Sequence, residues 1–350
     1  MRDEIIRVGV VGAGENTRKL HIPGFQAIEG VKIVSVCNRS RESGERVASE
    51  FGIPTVYDNW RELVEADDSN AICIGTWPYL HYPVTMASLE NEKHVLTEAR
   101  MAMNAQEAQA MLAASLRKPY LITQVVPAPF TFRVDATIQE LMAQGYLGKL
   151  LAVELTAVER SFTNLEAPIH WRHDRDLSGY NTLTMGVWYE SLLRWVGPAV
   201  KVMAMTKVNV EQRRDLSGIM RALRIPDHVD IICELSAGAL AHMRFSAVTG
   251  LGPGVDAWLF GSEGTLRVTT SPSALSLYGG RRGDSQLKEI SIPPEKQNAW
   301  RVEEEFVNAI RGEEKVTLTT FEDGVRYMEF TEAVSRSAQT GQAISLPLEK

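Results

Sequence analysis

Between residues 5 and 126 the chain alternates two kinds of segment, and this alternation narrows the possible folds more than any other feature of the sequence. Short β-branched runs fall at 5–11, 31–37, 71–74, 94–96 and 120–125. Helical stretches such as 40–51, 83–90 and 105–117 lie between them. Strand–helix repeats of this kind build a parallel sheet covered by helices on both faces. Five strands within roughly 125 residues match the size of a doubly wound, dinucleotide-binding α/β domain. After Pro127 the rhythm changes. A helix at 132–144 leads into a strand-like run at 150–159, then a polar loop and a helix at 181–196. Strand-like runs from 200 to about 292 follow, punctuated by turn signals at 261–264, 271–272 and 279–283. Strands joined by turns pair antiparallel. Helices at 301–311 and 321–337 and a short strand at 343–346 come last. The expected domains are therefore 1–126 and 127–350, with a hinge near 126–131.

The alternating domain opens with the segment VGVVGAGENT, in which a buried strand runs into Gly12, Ala13, Gly14, Glu15, Asn16 and Thr17. Gly12 suits a tight turn, and Gly14 lets the backbone approach a pyrophosphate at the start of the next helix. Thr17 replaces the third glycine of the dinucleotide fingerprint, so the helix is expected to pack less closely on the strand. The second strand ends in Asn38, Arg39 and Ser40, where an NAD site usually carries an acid for the ribose 2′-hydroxyl. An amide, a guanidinium and a hydroxyl suit a 2′-phosphate instead, so the expected cofactor is NADP, with NAD as the alternative. The competing reading is that Asn38 caps the following helix and Arg39 is solvated.

Composition removes several other functions. At 350 residues, 44% hydrophobic and 23% charged, the chain is that of a globular protein with room for two cores. Its net charge of −7 argues against nucleic-acid binding, which needs clustered Lys and Arg. No run approaches the ~18 apolar residues of a membrane span, and MRDEIIRVGVVG reads as a strand rather than a signal peptide. Cys37, Cys73 and Cys233 are odd in number and sit in apolar surroundings, as buried free thiols of a reducing compartment do. The expectation is a cytoplasmic protein acting on a small molecule, with no metal, membrane or nucleic-acid partner.

Taken with the Gly12–Thr17 turn, the stretches His21-Ile22-Pro23, Thr76-Trp77-Pro78-Tyr79-Leu80-His81 and Val95-Leu96-Thr97-Glu98 resemble the Gfo/Idh/MocA oxidoreductase family. Gly148-Lys149, the segment 171–197 ending Leu192-Leu193-Arg194-Trp195-Val196-Gly197, and the terminal helices extend the resemblance over nearly the whole chain. The resemblance implies a Rossmann domain followed by an α+β domain with an open, mostly antiparallel sheet. It also implies NAD(P)-dependent redox chemistry on sugars or related polyols, and homodimers or homotetramers built on the open sheet face. Thr76, Trp77, Pro78, His81 and Glu98 would border the nicotinamide and ribose. Val202 and Ala204 alternate with Met203 and Met205, a pattern that lets a sheet bury both faces.

The sequence departs from the family where protons are handled. The family's Glu-Lys-Pro motif reads Glu98-Ala99-Arg100 here, and the positions of its Asp and His on the active-site helix are Thr184 and Trp188. Positioned acid–base catalysis contributes about 10²–10⁴-fold, so a substitute donor can sustain turnover. Tyr180, Thr184 and Trp188 are four apart and would share one helix face toward a cleft that Trp171 and Arg172 also enter. His173 is the first candidate acid/base, with Tyr180 the alternate and His170 and Tyr189 further possibilities. The alternatives are a cofactor-binding sensor that does not turn over, and an enzyme in which transient oxidation enables elimination or bond cleavage. The stretch EQRRDLSGIMRALR, 211–224, is expected as a solvated loop or an arm toward another subunit.

Overall fold

A sheet whose strands are apolar on both faces is stable only with helices on either side. The computed structural model describes residues 5–270 and 274–349, and its first unit, Met1–Pro127 with Arg301–Met328, is built in that way. Its strands are β1 (Ile6–Val11), β2 (Val31–Cys37), β3 (Thr55–Val56), β4 (Ala71–Ile74), β5 (His94–Thr97) and β6 (Thr123–Val125). They form one sheet in the order β3-β2-β1-β4-β5-β6, all parallel. That order is the Rossmann order, reversing direction beside β1. The crossover helices are α1 (Ile22–Gln26), α2 (Arg41–Phe51), α3 (Trp60–Glu65), α4 (Pro78–Glu90) and α5 (Ala105–Arg117). Val8, Val10 and all four residues of β4 are buried, as a doubly covered sheet requires. The sequence reading omits β3 and α3, and it starts α4 five residues late. Pro83 is not the helix start but lies inside α4, whose first residue is Pro78.

The second unit comprises Ala128–Trp300 and Glu329–Lys350. It begins with α6 (Phe132–Ala143), β7 (Leu150–Val158), the short α7 (Arg175–Ser178) and α8 (Met185–Val196). Then come β8 (Ala199–Lys207), the hairpin of β9 (Gln212–Arg214) and β10 (Met220–Ala222), β11 (His228–Leu235) and β12 (Leu240–Ser246). The series continues with β13 (Val255–Gly261), β14 (Gly264–Thr270), β15 (Leu275–Arg281) and β16 (Lys288–Glu289). The chain ends with α9 (Val302–Arg311), α10 (Phe321–Thr340) and β17 (Ile344–Ser345). Nine strands form a mostly antiparallel sheet, β16-β15-β14-β13-β7-β12-β11-β8-β17, in which only β7 and β12 are parallel. The turn expected at 271–272 and the start of the MRDEIIRVGVVG segment lie outside the described residues.

Two expectations need correction, the extent of the first unit and the form of the segment 211–224. The first unit includes Arg301–Met328, which the sequence reading left with the second domain. Val202 and Ala204 are buried while Met203 is 51% and Met205 80% exposed, so within the single chain one face of β8 is covered and the other is open. The segment 211–224 is not a loop but holds the β9–β10 hairpin. Its Arg213 guanidinium donates to the carbonyls of Asn164 and Ala167, and Arg214's carbonyl accepts from Ile169 N–H at 2.8 Å.

Candidate active site

At the end of β1 the chain must turn sharply into a helix, and only glycine fits where it does so. Gly12 has φ +86°, and a Cβ there would meet Thr76 Cγ2 at 2.6 Å and the Thr76 backbone nitrogen at 2.9 Å. A Cβ on Gly14 would find only the Gly75 carbonyl oxygen, at 3.7 Å, so its outer side is open to a ligand. Thr17 stands where the fingerprint's third glycine would be. Its hydroxyl donates to the Gly12 carbonyl at 3.2 Å, and a Cβ on Gly75, at the end of β4, would collide with it. Close approach is thus retained, with the glycine moved to the neighbouring strand. A π-helical turn, Thr17–His21, then leads into α1. The first N–H groups of this helical segment lack intrahelical acceptors. The buried Thr76 hydroxyl beside the turn has no hydrogen-bond partner. An open glycine turn, free helix-start amides and an orphaned hydroxyl fit the diphosphate of a dinucleotide.

The residues after β2 are more committed than their sequence suggests. Asn38 Oδ1 accepts from Ala13 N–H at 2.7 Å, and its amide donates to the Ser43 hydroxyl at 3.1 Å. Asn38 therefore holds the glycine turn in place. Ser40, not Asn38, caps α2, accepting from Ser43 N–H at 3.3 Å. Arg39 is exposed, its guanidinium 6.0 Å from the Trp77 ring. Glu15 pairs with Lys19 on the surface at 2.5 Å. His81 is fully buried, and its nitrogens lie 2.8 Å from the Arg100 carbonyl and 3.0 Å from the Thr76 carbonyl. It fastens the backbone behind Thr76, so its ring does not border a nicotinamide as expected. Burial lowers its pKa, because a charged ring there would lose its water. Pro78 is likewise buried, at the first turn of α4. The Ala99–Arg100 peptide is cis although Arg100 is not proline.

Around Glu98 the first unit holds a group that sequence reasoning missed. His21 is buried with Nδ1 against Glu303 Oε1 and Nε2 3.1 Å from Glu98 Oε1. Glu98 also accepts from the Asn16 amide and, at 3.0 Å, from Ala99 N–H. Burial alone would lower the His21 pKa, but hydrogen bonds and charge from Glu303 and Glu98 outweigh it and raise it to about 9. Burial likewise pushes Glu98 up, but His21, Asn16 and the Ala99 N–H bring it down to about 2. The result is an imidazolium held between two carboxylates. A signal was available: Glu303 falls on the same helix face as Phe306 and Val307, where a carboxylate needs a buried partner. Its partner lies 282 residues away.

In the second unit the segment before α8 holds the remaining candidates. Gly179 (φ +63°) and Leu183 (φ +49°) interrupt the chain, and α8 starts only at Met185. Tyr180 and Thr184 therefore do not share a helix face with Trp188. Trp188 is buried against Phe130 at 6.2 Å between ring centres, so it is core. Tyr189 is fully buried, stacks on Phe330 and accepts from Ala199 N–H at 2.9 Å, so it packs in the core rather than facing a substrate. Trp171, Arg172 and His173 form a 3₁₀ turn, not a loop, with Arg172 4.2 Å from the Trp171 ring centre. His170 N–H donates to His173 Nδ1 at 3.1 Å. Burial, with the charges of Arg213 and His170, lowers the His173 pKa, so its ring is neutral near pH 7. Among the described residues no cluster of three His, Cys, Asp or Glu side chains is arranged for a metal. The Tyr180 ring carries the Arg175 guanidinium 4.2 Å from its centre.

Comparison with known proteins follows this division. Residues 6–124 match the model of the GFO_IDH_MocA oxidoreductase family, NAD-binding Rossmann fold, and residues 136–267 match a GFO/IDH/MocA C-terminal domain. A 1,5-anhydro-D-fructose reductase of Ensifer adhaerens is 26% identical, over 97% of this chain and 98% of its own. A dTDP-3,4-didehydro-2,6-dideoxy-alpha-D-glucose 3-reductase of Streptomyces antibioticus is 25% identical, over 95% and 97%. The structure of a levoglucosan dehydrogenase in complex with NADH and L-sorbose superposes with a TM-score of 0.84 at 18% identity, covering 98% of this chain and 99% of that one. That last likeness shows the fold.

Proposed function

The chain belongs to the Gfo/Idh/MocA oxidoreductase family, and from that premise we propose that it is an NADP(H)-dependent oxidoreductase of a sugar-like alcohol or ketone with Tyr180 as its proton donor and acceptor. The observation that carries the cofactor half is the Gly12–Thr17 turn with its open side at Gly14 and the unpartnered Thr76 hydroxyl. When bound, the nicotinamide supplies or takes the hydride. Gly14, Glu15 and Asn16 present backbone N–H groups to the diphosphate, and Arg39 meets the ribose 2′-phosphate. Glu98 and Thr76 face the nicotinamide ribose, with Glu98 kept ionised by His21. Relatives that reduce or oxidise anhydro-sugars and deoxysugars support a ring-bearing substrate. The exposed Met203 and Met205 support a homo-oligomer closing over β8, which light scattering on the purified chain reads directly.

The proton half is carried by which side chain is free to act. His173 is the weaker of the two candidates. Its Nδ1 lone pair is taken by the His170 amide, so the neutral ring has its proton on Nε2 and offers no base there. Tyr180 is partly exposed, and its hydroxyl is not engaged by the protein among the described residues. Reduction of a ketone then moves the Tyr180 proton to the carbonyl oxygen as hydride reaches the carbon, and oxidation reverses both transfers. Tyr180→Phe is expected to lower kcat by about 10²-fold or more without changing cofactor affinity, whereas His173→Gln stays within a few-fold. Steady-state kinetics with 1,5-anhydro-D-fructose and levoglucosan read both. A silent Tyr180→Phe beside a crippled His173→Gln would reverse the assignment.

A further inference from the structure

Three cationic side chains of the second unit line one groove, and none has a carboxylate partner among the described residues. The groove, about 590 Å³, takes Arg175 from α7, Lys207 from the end of β8 and Arg224 from the segment after β10. Elsewhere in the same unit several arginines are paired: Arg194 with Asp135 and Glu190, Arg221 with Asp215, Arg244 with Asp230 and Arg267 with Asp256. Glu211 is the groove's single acid, so three cations against one carboxylate give it a net charge of +2 on a chain whose formal net charge is −7. The hydroxyls of Thr182, Thr206 and Ser335 add hydrogen-bonding groups, and Met185 and Val334 give it an apolar floor. Such a mixture suits a ring with one charged substituent. Arg175 also stacks on Tyr180, and Thr182 and Met185 flank Thr184. The groove and the proposed proton donor therefore belong to one local structure.

We propose that this groove binds the negatively charged group of the substrate, which makes the substrate a phosphorylated or carboxylated sugar derivative rather than a neutral polyol. This rests on the oxidoreductase reading above. No ion pair has to be broken for an anion to enter. A phosphate or carboxylate meets an ammonium and the fork of a guanidinium in charge-assisted hydrogen bonds, the strong class of such bonds.

Calorimetric titration of the full chain tests this, with the nicotinamide cofactor at saturation so that added phosphate cannot enter the Gly12–Thr17 turn. The probes are glucose 6-phosphate, glucuronate, glucose and inorganic phosphate. One of the two anionic sugars is expected to bind about tenfold or more tightly than glucose, and which one distinguishes phosphoryl from carboxylate. The double variant Lys207→Ala with Arg224→Ala should abolish that advantage. Both side chains are exposed, and circular dichroism verifies that the variant folds. The proposal is overturned if neither anionic sugar outbinds glucose, or if the advantage survives in the double variant. It is overturned as well if inorganic phosphate alone binds as tightly as glucose 6-phosphate, which would mark a free-anion site. Hydride transfer is read separately. Anion binding without transfer to any sugar refutes the oxidoreductase reading and leaves the groove standing; transfer to neutral sugars without anion binding does the reverse.

Discussion

His21 shows how much a single residue can organise without touching a substrate. Its folded-state pKa is raised from 6.5 to about 9, so the stabilisation it contributes is fully present below pH 6.5 and is lost as pH rises through about 9. Glu98 works in the opposite sense: its pKa is depressed from 4.5 to about 2, so its share is present above pH 4.5 and lost as pH falls toward about 2. The two shifts share the His21–Glu98 contact, but His21 draws first on Glu303, and Glu98 draws also on Asn16 and the Ala99 N–H. His21→Gln should therefore lower the melting temperature most between pH 5 and 6.5, with the gap from wild type narrowing by pH 10. Differential scanning fluorimetry across that range checks it, and a gap independent of pH would contradict the imidazolium. Arg39 carries the cofactor choice. With Asn38 holding the turn and Ser40 capping α2, it is the one cation among the three residues after β2. Arg39→Ala is expected to weaken NADP(H) by about tenfold or more while sparing NAD(H). Equal losses would remove the 2′-phosphate role. The sequence left Asn38, Arg39 and Ser40 as one set, and the fold shows which two are spent on the backbone: Asn38 on Ala13 and Ser40 on Ser43.

Among the elements, α8 is held by charge at its C-terminal end. Arg194 reaches Asp135 on α6 and Glu190 one turn back, both at 3.0 Å, and Trp195 Nε1 donates to the other Asp135 oxygen at 2.7 Å. Removing Arg194 takes a cationic partner from two buried acidic side chains. Arg194→Ala should cost about 3–5 kcal/mol, read as a shift in the denaturant midpoint. A loss under about 1 kcal/mol would mean the network is solvated. The motif Leu192–Gly197 was legible as the end of this helix. Its beginning was not, because Tyr180, Thr184 and Trp188 keep helical spacing while Gly179 just before them and Leu183 between the first two have positive φ. In α4 the error ran the other way. Pro83 reads as a helix start, yet packing of the apolar α4 against β4 and β5 carries the helix through it. Strand β3, two half-exposed residues long, has too little pattern to be seen.

For the whole molecule, the Rossmann alternation was plain because the central strands β1, β4 and β5 are buried almost throughout on both faces. The return of Arg301–Met328 to the first unit was hidden, since it depends on contacts distant in sequence. Glu303 meets His21, Glu305 accepts from Gln124 at 2.7 Å, and Thr319 pairs with Val125 in both directions at 3.0 Å. The first unit thus assembles its Glu98 network from both ends of the chain, and the second contains Tyr180 and the cationic groove. The claim joining them is that hydride passes between nicotinamide and a sugar carbon in a protein lacking the family's Lys, Asp and His. Incubation with cofactor deuterated at the nicotinamide C4 and the ketone 1,5-anhydro-D-fructose, followed by mass spectrometry of the sugar, measures that transfer directly. One deuterium incorporated per reduced product, at a rate about 10²-fold or more lower in Tyr180→Phe, is the result this account predicts. Tight cofactor binding with no deuterium reaching 1,5-anhydro-D-fructose, its phosphorylated form or a keto-uronate would contradict it.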